Sequence, residues 1–116
     1  MKMIRAIVRP ERESHAVAAL EAIGEFALTK IPVTGRGRQG ASSGLLNHAE
    51  LAKVMLMLVV PDDRADAVVA AITAAAYTGF PGDGRIFISG VEKAVRLRTG
   101  DVHTSTSTPN PGNTAP

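Results

Sequence analysis

The feature that most constrains the fold is a continuous run of seven apolar residues in the middle of the chain, residues 54–60. Its length suits a strand that is buried on both faces, and it is much too short to span a bilayer. Alternate side chains of a strand point to opposite faces, so odd-numbered residues would line one face and even-numbered residues the other. A sheet that is apolar on both faces predicts helices over one face and oligomerisation through the other.

The apolar run belongs to the second of two strand–helix units. Residues 2–9 are rich in β-formers, and Pro10 then suits the first turn of a helix that ends before Gly24. Residues 61–63 would open the second helix. Further strands are predicted at residues 26–33, 86–88 and 91–97. This order predicts an α+β fold of the ferredoxin-like split βαβ type, with an antiparallel sheet and both helices on one face.

The organisation along the chain indicates one domain, residues 1–100, followed by a tail. Residues 36–53 are rich in Gly, Ser and Asn and predict a long flexible loop, a length that is uncommon in compact domains unless the loop is functional. Residues 101–116 lack apolar residues for a core, so we expect a disordered C-terminal tail.

Composition excludes several classes of function. The 13 Lys and Arg residues nearly balance the 11 Asp and Glu residues, so we expect no nucleic-acid partner. The absence of cysteine excludes disulfides and thiolate chemistry. The charged N-terminus and the lack of a long apolar segment predict a cytoplasmic protein without membrane insertion. Dispersed histidines and the lack of a nucleophile–base pattern argue against an enzyme.

The most informative polar segment is residues 78–85, which contains three glycines, Asp83 and Arg85. Closely spaced glycines let a backbone approach a ligand, and an arginine adds a cation that suits phosphate. A conventional P-loop is excluded, because Arg85 is followed by Ile86 and a strand rather than by a helix. A tight helix-to-strand turn without a ligand explains the segment equally well.

Two further segments carry candidate ligand groups. Arg96 and Arg98 are two residues apart, so on a strand both guanidinium groups would face one side and suit a polyphosphate, although a solvated edge strand gives the same pattern. Gln39 offers an amide oxygen at the start of the long loop, and Lys53 an ammonium at its end. An ordinary flexible loop with an edge lysine is the alternative.

Taken together, these segments resemble the PII signal-transduction family. The resemblance covers residues 1–100 and depends on the order and spacing of six segments. They are residues 1–11, 27–30, 35–39, 78–87, 91–92 and 96–100.

The resemblance implies a homotrimer that holds ATP or ADP in clefts between subunits. The implied nucleotide-binding residues are Thr29, Gly35, Gly37, Arg38, Gln39, Thr78, Gly82, Asp83, Gly84, Arg85, Arg96 and Arg98. It also implies that Mg²⁺-ATP recruits 2-oxoglutarate, with Gln39 on the metal and Lys53 on the distal carboxylate. The resemblance also implies that Gly40, where the family usually has a lysine, is part of the same effector site. Residues 36–53 correspond to the family's T-loop, which changes shape and binds partner proteins.

The loop also indicates a branch within the family. It is shorter than in the familiar ammonium-transport regulators and contains no tyrosine, since Tyr77 is the only one in the chain. Control by uridylylation is therefore not expected. The short loop is similar to that of the nitrogenase-associated branch, which implies nitrogenase as the partner. Because no residue set suggests a nucleophile or a perturbed acid, slow ATP turnover is the most enzymatic activity that we expect. A divergent PII-like sensor without 2-oxoglutarate synergy is the alternative, and whether a sibling subunit forms mixed trimers is left open.

Overall fold

The computed structural model describes residues 1–36 and 50–104, which form six strands, two helices and two short 3-10 turns. In chain order the elements are β1 (Lys2–Val8), a 3-10 turn (Pro10–Arg12), α1 (Glu13–Ala22), β2 (Thr29–Arg36), β3 (Glu50–Val60), a 3-10 turn (Asp62–Arg64), α2 (Ala65–Ala76), β4 (Gly84–Gly90), β5 (Lys93–Val95) and β6 (Val102–Thr104).

Four of the strands form one antiparallel sheet in the order β2-β3-β1-β4. The first strand pairs with both β3 and β4, so the two strand–helix units interlock as in a ferredoxin-like split βαβ fold. The predicted fold class is confirmed. The short strands β5 and β6 form a separate hairpin.

The core lies between the helices and the even-numbered face of β1 and β3. Strand residues such as Ile4 and Leu56 are fully buried there against Leu20 of α1 and Ile72 of α2. Burial of each such side chain contributes about 1.5–3 kcal/mol. The odd-numbered face of the same strands carries no helix, and apart from Lys53 its residues are at most partly buried, as the alternation predicted.

Two arginines fix the helices relative to each other. Arg12, in the 3-10 turn before α1, donates from Nε to the Ala75 carbonyl near the end of α2 at 2.9 Å. Arg64, in the equivalent turn before α2, donates from Nη2 to the Ile23 carbonyl at the end of α1 at 2.6 Å. A cation at a helix C-terminus satisfies carbonyls that lack an intrahelical partner. The two units therefore cap each other reciprocally.

Several predicted boundaries are wrong, and long-range strand pairing explains most of them. Residues 50–53, predicted as loop, belong to β3, because the β2–β3 ladder continues as far as the pair Arg36↔Glu50. The second strand accordingly spans Thr29–Arg36 rather than residues 26–33. Polar residues take strand structure here because a partner strand supplies their backbone hydrogen bonds.

The C-terminal part differs most from the prediction. Residues 102–104, predicted as disordered tail, pair with β5, whereas residues 105–116 lie outside the described part of the chain. Arg96 and Arg98 are not on a strand: the Arg96 N–H bonds to the Asp101 carbonyl at 2.9 Å, and residues 97–99 form a turn. Across residues 1–36 and 50–104, no helix is long and apolar enough to cross a membrane.

Candidate functional site

The candidate site is built around the glycine turn, residues 78–84, which links α2 to β4. The Asp83 carboxylate accepts hydrogen bonds from the backbone N–H groups of Thr78 at 2.9 Å and Gly79 at 3.0 Å, and from the Thr78 hydroxyl. Three glycines in the turn have positive φ, which other residues adopt at a cost: Gly79 at 88°, Gly82 at 99° and Gly84 at 106°. Sequence and geometry therefore agree on a tightly closed turn.

Gly84 allows the turn to contact β1 closely. A Cβ atom on Gly84 would lie 1.7 Å from the carbonyl oxygen of Ile7, so only glycine fits at this point. In the sheet register Gly84 pairs with Val8, the last residue of β1. The turn is thus anchored at the end of the central strand.

Arg9, which follows β1, holds the turn from the sheet side. Its Nε donates to Asp83 Oδ1 at 3.0 Å, and its Nη2 donates to the Pro81 carbonyl at 2.7 Å. This role of Arg9 was not predicted from the sequence, because the contact depends on the antiparallel pairing of β1 with β4. The hydrogen bonds from Thr78, with weaker ones from Gly79 and Arg9, hold the pKa of Asp83 well below its usual range.

Lys53 reaches the same turn from β3. Its side chain is 8% exposed, and its ammonium donates to the Gly82 carbonyl. Burial, followed by repulsion from Arg9, lowers the pKa of Lys53, while the Glu11 and Asp83 carboxylates oppose the shift. The structure therefore places Lys53 beside the glycine turn, while its predicted contact with 2-oxoglutarate stays a prediction.

Arg85 completes this end of the sheet. It is exposed, lies opposite Ile7 in the β1–β4 register and shares the odd-numbered, helix-free face. The structure therefore brings together Arg9, Lys53 and Arg85 with the turn, at the end of β1.

Thr29, Arg96 and Arg98 lie elsewhere in the same chain. The chain leaves β4 at Gly90, which is about 17 Å along the strand from Arg85 at the usual rise per residue. The β5 strand then follows, and Arg96 comes directly after it. Within a single chain, Arg85 is therefore far from the other predicted phosphate ligands, Arg96 and Arg98.

A cavity of about 540 Å³ lies where β5 approaches the sheet. Thr29 contributes to its wall together with Met57, Val59 and Val95. Met57, Val59 and Val95 are not among the site residues predicted from the sequence. These residues line a cavity only because β5 folds back towards β2, and no local sequence pattern indicates this arrangement.

The remaining predicted ligands divide into two groups. Gly35 lies in β2 beside Lys53, where an added Cβ would sit 3.4 Å from the Lys53 Cγ. Gly37, Arg38, Gln39 and Gly40 lie outside the described residues. Within the described ranges, no three His, Asp or Glu side chains cluster as a metal site.

The glycine turn and its surroundings fit a phosphate group by their donor chemistry. The Asp83 carboxylate, the only acid in residues 78–85, is already engaged by Thr78, Gly79 and Arg9. Arg85 is exposed beside the turn and keeps its guanidinium available on the outer face of the sheet. Anion binding by turns of this kind is general in proteins.

The fold and the site define a class of small α+β proteins with a split βαβ sheet and a basic glycine turn before the last sheet strand. Within this class the chain belongs to the PII family, because residues 1–101 match the family model described as nitrogen regulatory protein P-II.

Individual relatives agree with this assignment. The chain is 52% identical over 100 residues to a nitrogen fixation nifHD region glnB-like protein 1 of Methanococcus maripaludis, covering 85% of this chain and 95% of the relative. It is 43% identical over 106 residues to a nitrogen regulatory protein P-II 2 of Methanothermobacter thermautotrophicus, covering 87% and 92%. The predicted family is confirmed, and the nitrogen-fixation name of the Methanococcus maripaludis relative agrees with the nitrogenase-associated branch.

A solved structure supports the fold independently. The Arabidopsis thaliana PII protein in complex with citrate superimposes with a TM-score of 0.75 at 34% sequence identity. The match covers 88% of this chain and 87% of the plant chain.

Proposed function

We propose that this protein is a PII-type regulator that binds ATP or ADP between the subunits of a homotrimer and controls a nitrogen-metabolism partner, nitrogenase, through residues 36–53. The main support for the proposal is that one chain holds two half-sites that lie apart. One consists of Arg85 and the glycine turn, and the other of Arg96, Arg98 and the Thr29 cavity. A second copy joins these two half-sites into one.

The glycine turn serves as the phosphate half of the site. Arg85 supplies charge there, and Gly84 allows the turn to lie flat on β1. The neighbouring subunit contributes Arg96 and Arg98, whose guanidinium groups suit the remaining phosphate oxygens. Its Thr29 cavity is large enough for a nucleobase, with Met57 and Val59 supplying apolar contact.

The helix-free face of the sheet supports the trimer. Phe87 of β4 is 49% exposed on this face and lies opposite Arg5, while apolar residues such as Ile7 and Met55 occupy further positions of the same face. Burial of such a face between copies contributes about 25 cal/mol for each Å² of apolar surface. A closed ring of identical chains covers it and repeats the composite nucleotide site at every interface.

The proposal includes 2-oxoglutarate and Mg²⁺ as effectors, with Lys53 on the carboxylate and Gln39 on the metal. Mg²⁺ bound with ATP would neutralise phosphate charge. The citrate in the plant protein is a polycarboxylate, which supports a carboxylate effector. The output of the site is a change in the populations of loop states, and the protein acts in the cytoplasm as a regulator rather than an enzyme.

Isothermal titration tests the proposal. Wild-type protein is titrated with ADP, with Mg²⁺-ATP, and with Mg²⁺-ATP in the presence of 2-oxoglutarate. Arg85→Gln is compared with the control Lys30→Gln, which removes an ammonium that lies 3.8 Å from the Glu13 carboxylate of α1. We expect nucleotide binding that Arg85→Gln weakens at least about tenfold and Lys30→Gln leaves unchanged. Absence of nucleotide binding at millimolar concentration would refute the proposal. Nucleotide binding that 2-oxoglutarate does not strengthen would favour a PII-like sensor for another metabolite.

A further inference from the structure

We infer that Lys53 is a positioning residue for the glycine turn: it orients the phosphate-binding backbone and joins that turn to both strands that carry the long loop. This role is additional to any contact with an effector. It deepens the proposed function, since it concerns the same nucleotide site.

The burial of Lys53 gives the first reason. A lysine that is 8% exposed has lost most of its hydration, which is costly unless its ammonium is hydrogen-bonded. The hydrogen bond that Lys53 makes runs to the backbone carbonyl of Gly82 rather than to one of the nearby carboxylates. A buried cation on a turn carbonyl fixes the orientation of that carbonyl.

Peptide geometry gives the second reason. In a planar trans peptide the C=O and N–H bonds point in opposite directions. The Gly82 carbonyl points to Lys53, so the N–H of Asp83 in the same peptide points away from it. The Pro81 carbonyl points to Arg9 in the same manner, which turns the Gly82 N–H away as well. The two cations thus draw carbonyls inward and present two consecutive N–H groups outward, the arrangement that binds anions.

The strands around Lys53 give the third reason. Lys53 pairs with Val33 in the β2–β3 ladder, and Gly35 packs against its side chain because a Cβ there would come within 3.4 Å of the Lys53 Cγ. Both strands that connect through residues 37–49 therefore contact the residue that holds Gly82. A shift at the end of either strand moves the glycine turn, and the reverse also holds, since coupling between two sites is reciprocal.

The test uses ADP without Mg²⁺ and without 2-oxoglutarate, so that any effector role of Lys53 is silent. The variant Lys53→Met keeps the apolar stem and removes the donors, Lys53→Arg keeps a cation, and Lys30→Met on β2 is the matched control. We expect Lys53→Met to weaken ADP binding about tenfold, Lys53→Arg to recover part of the loss, and Lys30→Met to bind as wild type does. Exchange of the Thr78 and Gly79 amides, whose N–H groups bond to Asp83 within the turn, should accelerate in Lys53→Met and not in Lys30→Met.

The outcomes separate this inference from the proposed function. If wild-type protein binds no ADP, the proposed function fails. If it binds ADP and Lys53→Met binds equally well with unchanged amide exchange, the positioning role is overturned. Circular dichroism verifies folding, and Lys53→Leu, which also removes the donors, replaces Lys53→Met if the latter does not fold. Unchanged ADP affinity and unchanged exchange in Lys53→Leu would then overturn the inference equally.

Discussion

Arg9 and Asp83, 74 residues apart in the chain, form an ion pair in which Arg9 Nε lies 3.0 Å from Asp83 Oδ1. The pair joins the end of the central strand to the turn that precedes β4. The same carboxylate accepts hydrogen bonds from the backbone N–H groups of Thr78 and Gly79. Its negative charge therefore stabilises both the conformation of the turn and the attachment of the turn to the sheet. The turn should therefore respond to any change that neutralises Asp83.

Acid should loosen this arrangement. Hydrogen bonds from Thr78 lower the pKa of Asp83 in the folded protein, whereas an unfolded aspartate titrates near pH 3.9, about its ordinary value. The stability contributed by the ionised group is thus present above about pH 4 and is lost as the pH falls further. We expect urea unfolding of Asp83→Asn to show a weaker loss of stability below about pH 4 than wild type. Asp66→Asn, an exposed change in α2, should keep the wild-type slope; a slope altered equally by both variants would contradict the assignment.

The reciprocal arginine caps should contribute independently to stability. Removal of a charged donor from a helix-end carbonyl costs about 1.5–3 kcal/mol, so Arg12→Ala and Arg64→Ala should each lower the free energy of unfolding by about that amount. The arginines cap opposite ends of the helix pair and share no partner, so the double variant should show the sum of the two effects. Strong non-additivity in urea unfolding would show that the two caps act as one unit.

Gly84 and Gly24 make a matched pair for the anchoring of the turn. Both have positive φ, at 106° and 88°, but an added Cβ at Gly84 meets the Ile7 carbonyl, whereas nothing lies within 4 Å of one at Gly24. Gly24→Ala should cost about 1–2 kcal/mol from backbone strain alone. Gly84→Ala should cost clearly more in denaturant unfolding, because it also separates the turn from β1. Equal costs would show that the close approach is absent in solution.

The assembly should depend on the helix-free face. Phe87 is 49% exposed in the single chain, and Phe26 is 72% exposed in the connection between α1 and β2. We expect sedimentation of wild type at three times the 12.1 kDa chain mass. Phe87→Asp should dissociate this assembly, because it would bury a charge in an apolar interface, and Phe26→Asp should not. A trimer that tolerates Phe87→Asp would place the interface on another face.

Sequence reasoning predicted the parts of the fold that depend on local pattern. The alternation of residues 54–60 predicted a strand with two apolar faces, and the prolines after β1 and β3 predicted where each helical segment begins. It failed where structure depends on distant pairing. Glu50 extends β3 because Arg36 lies opposite, and Val102 joins a strand because Val95 lies opposite. Neither pair has a local signal.

The candidate site shows the same division. The glycines, Arg85 and Asp83 were identifiable from composition and spacing within one segment. Arg9 was not, because its contact with Asp83 depends on the antiparallel pairing of β1 and β4. The separation of Arg85 from Arg96 could not be predicted either, since it depends on the length and direction of β4.

Subunit mixing tests most directly whether the nucleotide lies between copies of the chain. Arg85→Gln and Arg98→Gln are each expected to bind ADP at least about tenfold more weakly than wild type as homotrimers. The two variants are unfolded and refolded together in equal amounts. If each site takes its glycine turn from one subunit and Arg98 from the next, a site is intact only when the first subunit is Arg98→Gln and the second is Arg85→Gln. This arrangement occurs at about a quarter of the interfaces. We predict that ADP binding returns at this fraction of sites in titrations of the mixture. If the mixture binds no more ADP than the separate variants, while refolded wild type binds fully, both arginines act within one chain and the composite site is wrong.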